Sequence, residues 1–142
     1  MGWLFVQLFS GRLSEVEKVY SGVPWEKRVA YSRATKVGGY IVVSGTTAVD
    51  AEGNVVGPGD VYTQCRFIFE KIGRALAELG GSFDNVVRTR TFITDIGRFD
   101  EFARAHAEVF AGIDPAATCV EVSRLVDADL MVEIEVDAMV AG

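Results

Sequence analysis

The segment from Met131 to Val140 constrains the fold most. Val132, Ile134, Val136, Ala138 and Val140 alternate with Glu133, Glu135 and Asp137. Side chains along a β-strand point to opposite faces with a period of two, so this segment reads as a strand with one apolar and one acidic face. The apolar face needs cover, and two segments can supply it. After Asp60, a good N-cap, Val61, Cys65, Ile68, Phe69, Ile72, Leu76 and Leu79 recur at helical spacing, and Gly80-Gly81 ends the run. A second stripe holds Phe99, Phe102, Ala103, His106, Val109 and Phe110. It starts at Asp95 or Gly97 and stops at Gly112.

The remaining strands are shorter. Val29 to Ala34 and Tyr40 to Ser44 are rich in β-branched and aromatic residues, and Gly38-Gly39 between them can supply the positive φ of a tight hairpin. Asp50 to Asn54 reads as a second turn, followed by a short Val55-Val56. Val86 to Thr94 reads as a strand, with Val87, Thr89, Thr91 and Ile93 on one face and Arg88, Arg90 and Phe92 on the other. Thr118 to Ser123 reads as another. The order β-β-(β)-α-β-α-β-β predicts an α+β fold, a mixed sheet with two helices on one face. Residues 1–142 fit a single domain, long enough to fold without a disulfide or metal staple. The second sheet face is expected to carry Arg88, Arg90, Cys119, Glu121, Glu133 and Glu135 among apolar residues. Such a face can be solvated or can meet other subunits. The 49% apolar content and a mean hydropathy of +0.23 favour subunits.

Charge and composition narrow the function. The net charge of −6 gives a surface that repels phosphate, which disfavours nucleic acid as a partner. Two cysteines make no disulfide framework, and the single His106 cannot build a zinc site with them, so no metal is expected. No run is long and apolar enough to span a membrane. Trp3-Leu4-Phe5-Val6 has no cationic region before it and no clean small-residue cleavage site after it. It reads as an edge strand or an N-terminal extension, and the chain as cytoplasmic.

Candidate chemistry is sparse. There is no phosphate loop, dinucleotide fingerprint or nucleophile elbow. His106 lies on an apolar helix stripe and reads as a core histidine, and Cys65 as core. Cys119 could be a nucleophile if a cation lowered its pKa; with no histidine on its strand it reads as a small interface residue. Arg88 and Arg90 share a strand face and could fork onto an anion, or pair across the sheet with Glu121, Glu133 or Glu135. Glu133 could hold a water as a general base if burial lifts its pKa.

The C-terminal third carries a resemblance. Pro115-Ala-Ala-Thr-Cys119-Val-Glu-Val-Ser-Arg-Leu125, then Val132-Glu133-Ile134-Glu135, resembles the signature of the Rid family, also called YjgF or L-PSP. Tyr31, Val43-Ser44-Gly45 and Val87 to Asp95 add to it. The match runs from about Tyr31 to Val140, so residues 1–20 stand outside it. The resemblance implies a chorismate-mutase-like fold and a homotrimer whose sheets form a central barrel, with small-molecule clefts between subunits. It implies an enamine/imine deaminase that hydrolyses 2-aminoacrylate and related imines without a cofactor. In that scheme an arginine grips the substrate carboxylate. The backbone at Cys119 and the Glu133 carboxylate hold the attacking water, while Tyr31, Ser44 and Gly45 line the cleft. The arginine position is occupied here by Ala117. Arg33, two residues past Tyr31 and so on the same strand face, or Arg90 is expected to take over the anion; Arg88 and Arg124 are further candidates. The resemblance thus implies a small-metabolite hydrolase whose substrate is not the usual imino acid. The alternatives are a non-catalytic ligand-binding or regulatory trimer and an L-PSP-type endoribonuclease or translation inhibitor.

Overall fold

The computed structural model describes residues 15–141. The expectation for Trp3 to Val6 lies outside the described residues. In chain order the elements are β1 (Val16–Val19), α1 (Pro24–Val29), β2 (Ala34–Val37), β3 (Tyr40–Thr47), α2 (Val61–Glu78), β4 (Val86–Ile93), α3 (Phe99–Phe110), β5 (Ala116–Glu121) and β6 (Val132–Met139). Six strands form one sheet in the order β1-β2-β3-β6-β4-β5. Only β4 and β5 run parallel, with α3 as the crossover; the other pairs are antiparallel.

β6 enters the sheet between β3 and β4, which explains its strict alternation. Val132, Ile134, Val136 and Ala138 are fully buried under the helices, and Glu133, Glu135 and Asp137 face away from them. The α2 stripe forms as expected. The Asp60 carboxylate accepts from Thr63 N at 2.9 Å, and Val61, Cys65, Ile68, Phe69, Ile72 and Leu76 are buried. Each such large aliphatic side chain stabilises the fold by roughly 1.5–3 kcal/mol through burial. On α3, Phe102, Ala105 and Phe110 are buried, whereas Phe99 at its N-terminus is exposed.

Three expectations need correction. The hairpin turns at Gly38 (φ 58°) with Val37 opposite Tyr40, but its first strand starts at Ala34. Residues 24–29 are helical instead: Pro24 pre-sets the first turn, and Ala30 closes the helix in a left-handed conformation (φ 64°). Tyr31 and Arg33 therefore lie in a loop and do not share a strand face. On β4, a register shift between Val86 and Arg88 turns Val87 outward, so Val86 is 4% exposed and Val87 47%. On β5, Thr91 pairs with Cys119 and Ile93 with Glu121. Thr91 and Ile93 are buried beneath the helices, so Cys119 and Glu121 lie on the helix side of the sheet. Thr118 and Val120 share the other face with Arg88 and Arg90.

Candidate functional site

The sequence-predicted residues gather into separate groups. The first forms where β3 bulges. Val43 pairs with Val136 and Thr46 with Ile134, so Ser44 and Gly45 both oppose the single residue Glu135. A bulge bends its strand and re-aims nearby side chains. The 31–33 loop is fastened over this point. Tyr31 N donates to Glu26 O, Arg33 N to Val19 O, Ser44 N to Arg33 O, and Ser44 Oγ to Ser32 O at 2.7 Å.

Arg33 is drawn inward, only 7% exposed. Its Nη2 donates to Gly45 O at 2.6 Å, its guanidinium carbon lies 5.8 Å from the Tyr31 ring centroid, and Nε is buried without a partner. No carboxylate among the described residues lies within ion-pair distance of it. Burial lowers its pKa against the opposing fields of Tyr31, Glu26 and Glu133. Glu133 stands beside it, half-buried, and its Oε1 fills the space where a side chain at Gly45 would project. Burial pushes the Glu133 carboxyl above its ordinary range; Arg33 pulls it down and Glu135 adds to the rise.

Two residues here carried no recognisable signal in the sequence. Glu26 is 5% exposed, and its carboxylate accepts from Ser21 N, Ser21 Oγ and Gly22 N. Burial raises its pKa, but these hydrogen bonds outweigh the burial and leave it lowered. Lys71 on α2 donates to Thr47 O at 2.8 Å and Val49 O at 3.0 Å, and burial brings its pKa down to about 8.

The second group lies across the sheet, between α3 and the edge strand β5. A groove of about 300 Å³ runs there, with Cys119 and Ala117 on one wall and His106 and Phe99 on the other. His106 shares a 2.9 Å hydrogen bond between its Nε2 and Thr89 Oγ1, and the rings of Phe69, Phe102 and Phe110 surround it. Burial lowers the His106 pKa and raises that of Cys119. Glu133 and Cys119 are thus on opposite faces of the sheet, separated by β4. One chain alone does not bring them together.

Arg90 forms a third group. Its Nη1 lies 3.4 Å from Glu135 Oε1 and 3.3 Å from Asp137 Oδ2, at the edge of an open concavity of about 360 Å³ that also touches Tyr40 and Ser44. Arg88 and Arg124 are exposed.

Residues 24–140 match the family described as Endoribonuclease L-PSP. The chain belongs to the Rid/YjgF/L-PSP family. The L-PSP match takes in α1 and all three groups and leaves β1 outside. Among curated relatives, an uncharacterized protein of Streptomyces coelicolor is 35% identical over 123 residues, covering 87% of this chain and 91% of that one. A RutC family protein of Pyrococcus abyssi is 35% identical, covering 74% and 82%. Among solved structures, a member of the YjgF/YER057c/UK114 family from Mycobacterium tuberculosis is 40% identical with a TM-score of 0.82, covering 89% of this chain and all of that one. Among the described residues of this family member, no helix is long and apolar enough to cross a membrane, and no three His, Cys, Asp or Glu residues cluster as metal ligands.

Proposed function

We propose that this L-PSP family member is a homotrimer whose clefts between copies bind a small imine- or enamine-like metabolite and hydrolyse its C=N bond. The observation that carries the reading is the half-buried Glu133 carboxyl at the Gly45 bulge, beside a buried guanidinium. A carboxylate whose pKa is raised by burial is a stronger proton acceptor than an exposed one. In the reaction, the water oxygen bonds to the imine carbon while Glu133 takes the water proton. That proton passes to nitrogen to give a carbinolamine; the remaining hydroxyl proton then follows to nitrogen, the C–N bond breaks, and a carbonyl compound and ammonia leave. Hydrolysis moves no electrons to an outside acceptor, so the scheme calls for no cofactor.

Tyr31, Ser44 and Gly45 wall the cleft on the Glu133 side. The backbone at Cys119 completes it from a neighbouring copy, since β5 is a sheet edge and Cys119 lies across the sheet from Glu133 in its own chain. Of the two arginines offered as anion contacts, Arg90 already faces two carboxylates and Arg33 faces none at ion-pair distance. Arg33 is therefore the stronger candidate. A second reading, a trimer that binds without turnover, draws on Ala117 standing where the family resemblance places the carboxylate grip. Endoribonuclease action has less support: the net charge is −6, and the one histidine is enclosed by phenylalanines.

Release of ammonia and pyruvate from enzymatically generated 2-aminoacrylate tests the proposal, with wild type, Glu133→Ala and Ala117→Arg compared. Glu133→Ala should fall to the uncatalysed rate while sedimentation still reads a trimer, and Ala117→Arg should be faster than wild type. No product above the uncatalysed rate from either wild type or Ala117→Arg would overturn the hydrolase reading. Ligand-induced stabilisation with no product from any form would favour the binding-only trimer.

A further inference from the structure

The groove between α3 and β5 has a consistent chemistry. Its volume of about 300 Å³ is at the small end of ligand pockets, and a cavity of about 150 Å³ already holds benzene. Along α3, Phe99 and Phe102 meet edge to face at 5.5 Å, and Phe102 and His106 lie 5.3 Å apart, so one wall is a ladder of rings. Ala103 on α3 and Ala117 on β5 have only methyl groups, which leaves the space open. No lining residue is charged at neutral pH. The His106 imidazole is half-buried, with Nε2 engaged by Thr89, and Cys119 remains a thiol. A carboxylate placed here would lose hydration and gain no cation, which disfavours it. Hydrogen-bonding capacity is nonetheless present, in the second imidazole nitrogen and the outer backbone edge of β5.

We propose that this groove holds the uncharged, ring-bearing or branched apolar body of the ligand, so that the substrate class is a neutral imine or carbonyl compound and not a 2-imino acid. This rests on the hydrolase reading for the reaction, but the binding it asserts is measured without turnover.

The test compares benzamide with benzoate, which have nearly the same shape and differ by one charge. His106 is the only histidine of the chain, so its ring gives one assignable NMR signal. Benzamide should shift that signal, raise the melting temperature, and bind at least about tenfold tighter than benzoate. Ala103→Leu and Ala117→Arg, which fill the groove from opposite walls, should each weaken benzamide by about tenfold or more. Two variants keep the test informative if one fails to fold. Val126→Glu, at an 89% exposed loop position outside the groove, should bind benzamide as wild type does. That result stands even if no form turns over 2-aminoacrylate, so failure of the hydrolase reading is separable. Benzoate binding as tightly as benzamide, or neither compound moving the His106 signal at millimolar concentration, would overturn the assignment.

Discussion

The Glu133 carboxylate occupies the space beside Gly45: a Cβ there would land on Glu133 Oε1. Gly45 does not have a left-handed φ, so alanine is compatible with its backbone. The obstacle is the tip of a flexible side chain, which can swing aside at little cost. Gly45→Ala should therefore fold with a melting temperature close to wild type while moving the carboxylate off its place. On the hydrolase reading, turnover should fall about 10- to 100-fold, the size of effect typical for a displaced acid–base group. Unchanged turnover would mean that the Glu133 position does not matter.

Glu133→Gln separates chemistry from stability through pH. Burial raises the folded-state pKa of Glu133 above 4.5, so the folded chain holds this proton more tightly than the unfolded chain. Its stabilising contribution is complete below pH 4.5 and is lost as pH rises through the folded pKa. The glutamine variant does not ionise. Melting curves should thus show Glu133→Gln gaining on wild type as pH goes from 4 to 7, with little difference at the acid end. A difference independent of pH would mean that the carboxyl sits in a watery setting.

The sheet's centre was legible because alternation there reports one buried face; every apolar residue from Val132 to Ala138 went where the pattern put it. The α2 stripe was legible for the same reason at a different period. The misread residues are those where local backbone geometry overrides periodicity. Val29 has strand propensity but sits at the end of a helix that Pro24 starts and Ala30 closes. Val87 lies at a register shift, where a period of two slips by one residue. Cys119 was put on the wrong face because strand phase cannot be counted across the loop that precedes β5. The site residues were named from residue types and resemblance, yet the division between Glu133 and Cys119 is a property of the strand order and had no trace in the sequence.

Lys71 predicts a rise in stability with alkali. Its ammonium lies between two backbone carbonyls and near the Phe67 ring, and burial first, then the fields of Arg33 and Arg74, lower its pKa from 10.5 to about 8. Below pH 8 both folded and unfolded chains keep the proton. Between about 8 and 10.5 the folded chain releases it while the unfolded chain retains it, so stability climbs with pH through that window. Tyrosines and cysteines also titrate there, so the informative quantity is the difference between wild type and Lys71→Gln. That difference should grow in favour of wild type from pH 8 to 10. A flat difference would show that Lys71 keeps an ordinary pKa.

The helix-free sheet face carries an apolar row that a lone chain leaves wet. Val16 pairs with Val37, Val37 with Tyr40 and Tyr40 with Met139, so the four lie side by side across β1, β2, β3 and β6. They are 52%, 45%, 43% and 50% exposed, respectively. Scattered exposed hydrophobics need no cause, but four in register on adjacent strands form a continuous patch of the kind that marks an interface. On the trimer reading, burying this row drives association, and a charge within it would have to be desolvated with each contact. Tyr40→Glu would also stand near Asp137, adding like-charge repulsion. Sedimentation should find wild type as trimer and Tyr40→Glu mainly as monomer at micromolar concentration, with the far-ultraviolet circular dichroism unchanged. Val126→Glu, at an 89% exposed loop position away from the row, should leave the assembly intact. If Tyr40→Glu remains trimeric, the subunits associate through another surface, and the row is an open face of the assembled protein.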